Sequence, residues 1–125
     1  MKAGREHRVP LSDRCIEILD GLSDREGYLF KKLSSGKLLG DGAFRALMER
    51  MGADAYTPHG FRSSFRDWAA ENSDEMNDVI ELCLGHSVGS KTEAAYKRSD
   101  LLLKRSGVMM EWTTFLNDRF NKSVT

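Results

Sequence analysis

Five polar residues of the chain have the side chains that cleavage of a phosphodiester requires. A tyrosine hydroxyl can attack phosphorus and form a covalent phosphotyrosine. Its ordinary pKa of about 10 leaves roughly one phenol in a thousand ionised at pH 7, so a neighbouring base or a cationic pocket must assist it. Arginine and histidine can stabilise charge on the non-bridging oxygens, and a lysine can protonate the departing alkoxide without a metal. The candidates are Lys2, His59, Arg62, His86 and Tyr96.

The segment that contains His59 and Arg62 predicts a helix start that binds an anion. Thr57 is a good N-cap and Pro58 suits a first helical turn. Spacings of three and four residues place His59, Arg62 and Arg66 on one face, near the positive end of the helix dipole. A guanidinium offers paired donors and the free amides of the first turn add more, which favours a phosphate.

Each of these residues also has a structural explanation. A histidine and an arginine on the first turns of a buried helix are often structural. Tyr96 fits a half-buried aromatic whose hydroxyl lies in water, and His86 fits a helix C-cap that interacts with the dipole. Lys2 by itself carries no specific signal. Only the combination points to phosphodiester chemistry.

Composition indicates one soluble globular domain over residues 1–125, with 40% hydrophobic and 30% charged residues. No apolar run approaches the roughly eighteen residues that a membrane helix needs, and the amino end is polar rather than a signal peptide. We therefore expect a cytoplasmic protein without a membrane segment. Cys15 and Cys83 lie at positions typical of apolar helix faces, which favours buried reduced thiols over a disulfide or a metal pair.

The charges of the chain balance, with 19 basic and 19 acidic residues. A nucleic-acid binder that acts alone is usually basic, so the net charge of zero counts against that role unless the charges are unevenly placed. They are uneven, because many acidic residues fall in linkers and on outer helix faces. Basic residues flank the candidate site: Lys2, Arg5, Arg8, Arg62, Arg66, Lys91, Lys97, Arg98, Lys104 and Arg105.

Hydrophobic periodicity predicts a mainly α fold with a small β element. Residues 7–9 fit a short strand ended by Pro10, and residues 27–30 fit a brief strand or an extended core segment. Helices are expected at about 12–21, 42–51, 58–72, 74–83, 92–97 and 101–120. The apolar faces of the first three, which we expect to be buried, contain Cys15, Ile16, Ile18, Leu19, Leu22, Phe44, Leu47, Met48, Met51, Phe61, Phe65, Trp68 and Ala69. The last helix carries a long stripe of Val108, Met109, Trp112, Phe115, Leu116 and Phe120.

Three short motifs follow one another in the chain: His59-Gly60-Phe61-Arg62, Leu84-Gly85-His86 and Ala94-Ala95-Tyr96-Lys97-Arg98-Ser99-Asp100. In order and spacing they resemble the active-site motifs of the tyrosine recombinases, in particular the phage and genomic-island integrases of the P4 type. The amino end, where Lys2 precedes His7-Arg8-Val9-Pro10-Leu11, resembles the β-hairpin that carries the catalytic lysine of that family. The resemblance covers nearly the whole chain.

The resemblance implies the integrase catalytic-core fold, mainly α with a small β-hairpin (α+β), and site-specific DNA integration and excision through a 3′-phosphotyrosine, without a cofactor. It implies Tyr96 as the nucleophile, and Arg62 and His86 as contacts to the scissile phosphate. His59 is implied as proton acceptor or phosphate ligand. Lys2 is implied as general acid to the 5′-hydroxyl, with Arg5 as a nearby alternative. The expected DNA contacts are Arg5, Arg8, Arg66, Lys91, Lys97 and Arg98.

The family also uses an arginine on a helix upstream of the hairpin, and no residue before Lys2 supplies it. We therefore expect the carboxy-terminal part of a longer integrase catalytic domain, incomplete at its amino end. Loss of one charge donor of this kind costs about 10²–10³ in rate, so we expect impaired cleavage. The resemblance implies double-stranded attachment-site DNA and other integrase protomers as partners, in a tetramer on DNA, with a monomer expected for the chain alone.

Three alternatives remain at this stage. The chain can be a docking module that binds DNA or a neighbouring subunit without chemistry, with Trp112, Phe115 and Phe120 either in the local core or on the partner. A zinc site built from His7, His59 and His86 would follow no known ligand spacing and would lack a thiol or carboxylate. Type IB topoisomerases share the chemistry, but the context of His86 and Tyr96 is closer to the integrases.

Overall fold

A computed structural model of the chain describes residues 6–124, which form six α-helices. They are α1 (Asp13–Asp20), α2 (Ala43–Arg50), α3 (Pro58–Asn72), α4 (Asn77–Cys83), α5 (Ser90–Ser99) and α6 (Leu102–Val124). The predicted α content is confirmed, and α3 has the predicted bounds. In contrast, α4 begins three residues later than expected, while α5 and α6 are longer than expected. None of the helices in the described range is long and apolar enough to cross a membrane.

Two helix starts follow from side-chain caps that the sequence contains. The hydroxyl of Ser12 accepts a hydrogen bond of 3.2 Å from the amide of Cys15 at the start of α1. At the start of α3, Thr57 Oγ1 accepts a bond of 3.0 Å from the amide of Gly60, and Pro58 occupies the first turn. A cap of this type contributes about 1 kcal/mol, because it satisfies an amide that has no partner within the helix. The cap therefore fixes where the His59–Arg62 face begins.

The core lies where α3, α4 and α6 pack against one another. Its buried residues are Phe65, Trp68, Ala69, Val79, Ile80 and Val108. Trp112 and Phe115 of α6 are half-buried against this cluster, and the Trp112 ring meets that of Phe65 edge to face at 5.6 Å. Aromatic pairs of this kind add about 0.5–1.5 kcal/mol beyond the area they bury. Trp112 and Phe115 thus belong to the core of this chain.

The prediction that α1 and α2 bury their apolar faces is wrong. Neither helix has a buried residue, and Ile16 on α1 and Phe44 on α2 are 44% and 53% exposed. Phe61 of α3 is also exposed, as is Cys15, whereas Cys83 is half-buried and both thiols are free. A periodic stripe shows which face of a helix would be buried, but burial also needs a second surface against that face. In the described part of the chain, the main packing surfaces of α3, α4 and α6 cover one another instead.

The predicted β element is not confirmed. Neither residues 6–10 nor residues 27–30 form a strand. Between residues 6 and 124 the β pairing consists of an isolated antiparallel bridge between Lys31 and Leu38. A strand needs the hydrogen bonds of a neighbouring strand, and the first half of the expected hairpin, with Lys2 and Arg5, lies outside the described residues.

Candidate active site

A turn at the end of α4 brings Arg62 and His86 together. Gly85 has a φ of 73°, a left-handed conformation that glycine adopts readily, and the amide of His86 bonds back to the carbonyl of Glu81 at 3.0 Å. Arg62 reaches from α3 to this turn and donates from Nη2 to the carbonyl of Leu84. The same Nη2 lies 2.9 Å from Nε2 of His86. Two residues that are 24 positions apart in sequence therefore meet through one guanidinium group.

The contacts of His86 define its protonation. Nδ1 lies 2.6 Å from Oε2 of Glu81, and Nε2 faces the guanidinium of Arg62. A guanidinium only donates hydrogen bonds, so Nε2 must accept and the proton must lie on Nδ1, from which it is donated to the carboxylate. The neutral Nδ1–H tautomer is the form that satisfies all three groups.

Glu81 links this pair to Arg66. Its Oε1 lies 2.9 Å from Nε of Arg66, as an ion pair whose angle is not that of a hydrogen bond, so Oε1 has no hydrogen-bond partner among the described residues. The Glu81 side chain is 14% exposed, whereas those of Arg66 and His86 are 54% and 45% exposed. A row of polar contacts thus runs from Arg62 through His86 and Glu81 to Arg66.

Tyr96 lies on α5, which is anchored at both ends. Near its start, Thr92 Oγ1 donates to Asp78 Oδ2 of α4 at 2.8 Å. At its end, Asp100 and Leu101 both have a φ of 49°, and the amide of Asp100 bonds to the carbonyl of Tyr96. Left-handed backbone costs an ordinary residue about 1–2 kcal/mol, so contacts around this turn must hold it.

Arg105 of α6 supplies those contacts. It is fully buried, donates from Nη1 to the carbonyl of Asp100 at 3.2 Å, and donates from Nη2 to the carbonyl of Arg8. Its guanidinium carbon also lies 5.8 Å from the centre of the Tyr96 ring, within the range of a cation–π contact. Nε of Arg105 is buried and has no hydrogen-bond partner in the described part of the chain. Arg105 therefore joins the amino-terminal segment, the end of α5 and the Tyr96 ring.

The ion pair of Arg8 and Asp100 supports the same junction, with Nε and Oδ2 2.7 Å apart. The hydrogen bond from Arg8 is the main reason why the pKa of the Asp100 carboxyl lies below its ordinary value of 3.8. The same bond raises the pKa of Arg8. The segment before α1 is thus fastened to the α5–α6 turn by side chains rather than by a β ladder.

His7 lies in this fastened segment and contacts the phenol of Tyr96. Its Nδ1 is 3.3 Å from the phenolic oxygen. Desolvation lowers the pKa of His7 below 6.5, the positive charge of Arg105 lowers it further, and Asp100 acts in the opposite direction. His7 is therefore neutral at pH 7, with one ring nitrogen able to accept a proton.

An open cleft unites several of these groups. One part is lined by His7, Val9, Arg62, Cys83, Leu84, Gly85, His86 and Ser87. Tyr96 lines a neighbouring depression with Glu6, Arg8, Lys97, Arg98, Ser99 and Asp100. His7 lines the first of these pockets and contacts Tyr96 in the second, so it links the nucleophile candidate to the cleft of the arginine–histidine pair.

The other predicted site residues lie around this cleft or outside the described range. His59 is exposed on the first turn of α3, and its imidazole makes no hydrogen bond or ion pair with residues 6–124. Lys91, Lys97 and Arg98 are exposed on α5, while Arg8 and Arg66 are held in ion pairs. Lys2 and Arg5 lie outside the described residues. Nowhere in residues 6–124 do histidine, cysteine and acidic side chains cluster as a metal would require.

Three residues of the site were not singled out from the sequence: His7 as a partner of Tyr96, Glu81 and Arg105. Glu81 had a detectable signal, because it lies on the last turn of α4, just before a glycine that folds the chain back. The contacts of His7 and Arg105 span 89 and 97 residues and had no local signal.

Comparison with known proteins gives four significant relatives, all named as integrases. The chain is 31% identical over 117 residues to the prophage integrase IntA of Escherichia coli (strain K12), covering 90% of this chain and 28% of that protein. It is 32% identical to the prophage integrase IntZ of the same organism, over 90% of this chain and 29% of the relative. The integrase of Shigella phage Sf6 is 28% identical over 95% of this chain and 32% of its own length.

The chain therefore spans less than a third of the length of these curated relatives. No protein-family model matches it. No solved structure matches it significantly. The similarity nevertheless extends over nine-tenths of the chain. The chain is a relative of the phage and prophage integrases.

Proposed function

We propose that the chain is the carboxy-terminal catalytic part of a tyrosine-type site-specific recombinase, which integrates and excises DNA through a 3′-phosphotyrosine. The observation that carries this proposal is the contact of Arg62 with His86 at 2.9 Å, in a cleft that adjoins Tyr96. An arginine, a histidine and a tyrosine are the groups that metal-free phosphoryl transfer to a phenol needs, and here Tyr96 is linked to the cleft of Arg62 and His86 through His7. The relatives' names support the same reaction class.

The scissile phosphate binds between Arg62 and His86 in this account. A phosphate oxygen replaces Nε2 of His86 as an acceptor for the guanidinium, and Arg62 keeps its bond to the Leu84 carbonyl. In this account His86 takes up a proton from solvent at Nε2 and donates it in a hydrogen bond to a second phosphate oxygen. Glu81 stabilises the resulting imidazolium from the opposite side of the ring, through its contact of 2.6 Å with Nδ1. Negative charge in the transition state is thereby met by two donors.

The bond changes are those of an in-line transfer. The Tyr96 oxygen forms a bond to phosphorus, the bond from phosphorus to the 5′-oxygen breaks, and the phenolic proton leaves to a base. The 5′-oxygen takes a proton from a general acid, for which we retain Lys2. His59, on the exposed first turn of α3, supplies a further phosphate ligand beside Arg62. Rejoining reverses these steps with the 5′-hydroxyl of another strand.

DNA binding is proposed for the basic residues that surround the cleft. Lys97 and Arg98 follow Tyr96 on the last turn of α5, and Lys91 lies near its start. Contacts of such residues with phosphates hold DNA independently of sequence and weaken steeply with salt. Arg5, Arg8 and Arg66 complete the proposed set, with Arg8 and Arg66 also serving as ion-pair partners. The attachment site would be selected by parts of the integrase beyond this chain, in a tetramer of protomers on DNA.

A covalent-trapping experiment tests the reaction class. The chain is incubated with a pool of nicked duplexes of randomised sequence, in which the short strand beyond the cleaved bond diffuses away and the adduct accumulates. We expect a denaturant-resistant protein–DNA complex that disappears in Tyr96→Phe and survives in the control Tyr56→Phe. The yield should be low because the family's further arginine is not in this chain. Binding of DNA without any covalent complex, or a complex that Tyr96→Phe leaves unchanged, would contradict the proposal.

A second candidate is a docking function without chemistry. The observation that favours it is the exposure of the apolar faces of α1 and α2, and of Phe120 near the end of α6, which is 67% exposed. Exposed apolar faces of this kind mark contacts with other proteins. The trapping experiment separates the two candidates, since docking alone predicts DNA or subunit binding that is indifferent to Tyr96→Phe.

A further inference from the structure

Attack by Tyr96 requires a group that accepts the phenolic proton, and among residues 6–124 His7 is a candidate acceptor in contact with the phenol. Nδ1 of His7 lies 3.3 Å from the phenolic oxygen. This distance is long for a hydrogen bond, but catalytic hydrogen bonds in ligand-free sites are often long and shorten when substrate binds. His59, the other histidine proposed for this role, has no contact with Tyr96 among the described residues and lies on the exposed first turn of α3.

We propose that His7 is the general base that accepts the proton of Tyr96 as the phenol attacks the phosphate, an assignment that rests on the proposed recombinase function. The step balances within the site. The oxygen of Tyr96 bonds to phosphorus, its proton moves to Nδ1 of His7, and the bond to the 5′-oxygen breaks. The general acid supplies the proton that the departing 5′-oxygen takes up. In the rejoining step, His7 returns its proton to the phenol.

His7 is positioned for this role by contacts on both sides. The next residue, Arg8, is tied to α6 through the Arg105 guanidinium and to the α5–α6 turn through Asp100. Tyr96 lies one helical turn before Asp100, and its ring faces Arg105. The segment that carries the base and the helix that carries the nucleophile are thus fixed to the same residues.

The charges around His7 favour an unprotonated imidazole, which can accept a proton. Arg105 from α6 disfavours the imidazolium, Asp100 from the α5–α6 turn favours it, and burial disfavours it, so that the pKa of His7 lies below 6.5. Arg62 of α3 and His86 beyond α4 line the same cleft as His7. At pH 7 the acceptor nitrogen is therefore unprotonated.

The first test needs no DNA and uses the three tyrosines of the chain, of which Tyr28 and Tyr56 are exposed internal controls. An aryl sulfonyl fluoride reacts with a phenol when a base removes its proton and fluoride departs. Labelling of each tyrosine is followed by peptide mass spectrometry in the wild type and in His7→Gln. We expect labelling of Tyr96, relative to Tyr28 and Tyr56, to fall by about 10²-fold, the lower limit for general-base assistance. An unchanged ratio would overturn the proposal.

A second measurement follows the same labelling as a function of pH in the wild type alone. Its result therefore does not depend on whether His7→Gln folds. The ratio of Tyr96 to Tyr28 labelling should rise as pH increases through the pKa of His7, below 6.5, and should then level off. A ratio that does not change across this range would also overturn the assignment.

The second test measures whether His7 acts as the base in DNA cleavage. Single-turnover cleavage of the nicked duplex pool should slow by about 10²–10⁴-fold in His7→Gln. A difluorotyrosine ionises at lower pH than tyrosine and so needs less assistance from a base. Its introduction at position 96 should raise the cleavage rate of His7→Gln much more than that of the wild type. Cleavage at the same rate in both proteins would reject His7 while leaving the recombinase proposal intact. Labelling that depends on His7, combined with no DNA adduct in any variant, would reject the recombinase proposal and the catalytic role in DNA cleavage.

Discussion

The carboxylate of Glu81 lies 2.6 Å from Nδ1 of His86 and fixes the imidazole so that its other nitrogen faces Arg62. This contact makes Glu81 a positioning residue, since it acts on the phosphate site only through His86. It also determines which nitrogen of His86 is available to the substrate, a property that the Leu84-Gly85-His86 motif alone does not reveal.

Replacement of Glu81 tests this role. A hydrogen bond to a charged group is worth about 1.5–3 kcal/mol, so we expect Glu81→Gln to slow DNA cleavage by about 10–100-fold. The glutamine oxygen can still accept from Nδ1, so the His86 tautomer should persist in nitrogen NMR spectra. Glu49→Gln, which changes an exposed carboxylate paired with Arg45 on α2, is the control and should have no effect. Full activity in Glu81→Gln would mean that His86 does not rely on this charge.

Arg105→Ala should destabilise the fold. It removes the donor for the carbonyls of Arg8 and Asp100, and each buried acceptor left without a partner costs about 1–3 kcal/mol. We therefore expect a lower midpoint in urea unfolding, whereas Lys104→Ala, at the exposed neighbouring position, should leave the midpoint unchanged. Equal midpoints for the two variants would show that Arg105 does not hold this junction in solution.

Acid should weaken the junction of Arg8 and Asp100. The Asp100 carboxyl has a pKa below 3.8 in the folded state, because Arg8 hydrogen-bonds to its charged form. The ion pair stabilises the folded state fully at pH values above the unfolded-state pKa of 3.8. This stabilisation is lost as the pH falls through the lower folded-state pKa, because the unfolded chain binds the proton more readily. Thermal unfolding of Asp100→Asn should show a smaller loss of stability across this window than the wild type. Asp41→Asn, in the exposed segment before α2, should follow the wild-type curve.

Substitutions of Phe65 and Phe44 allow a buried helix face to be compared with an exposed one. Phe65 on α3 is 6% exposed, whereas Phe44 on α2 is 53% exposed. Phe65→Ala should cost about 3–5 kcal/mol of unfolding free energy, and Phe44→Ala less than about 0.5 kcal/mol. Urea unfolding of both variants measures the difference. A comparable loss for Phe44→Ala would show that the apolar face of α2 is covered in solution.

Local signals in the sequence predicted the parts of the fold that local chemistry determines. Thr57 and Pro58 start α3 at the predicted residue because a cap and a first-turn proline act within one helical turn. Gly85 ends α4 because the turn requires a left-handed residue. Phe44 and Phe61 were expected to be buried and are exposed, because periodicity identifies a face without identifying what covers it. Prediction thus succeeded at these two helix ends and failed for the partners of the apolar faces.

The candidate site likewise contains some residues that local sequence signals identified and others that they did not. Arg62 and His86 were identified by their residue types and motifs, and the structure brings them together. Arg105 looked like one more surface cation, yet it is fully buried because its guanidinium satisfies two backbone carbonyls. As a functional residue, His7 was considered only as a zinc ligand. A contact between residues 89 positions apart produces no periodic pattern in the sequence. Long-range hydrogen bonds of this kind require the fold itself.

The most direct measurement of the central claim is the mass of the peptide that stays attached to DNA after cleavage. Trapped complexes are digested with protease and nuclease, and the remaining nucleotide–peptide conjugate is fragmented. The account predicts a nucleotide linked through its 3′-phosphate to the oxygen of Tyr96. A linkage at Tyr28, at Tyr56 or at a residue other than tyrosine, or a 5′-phosphate linkage, would contradict it.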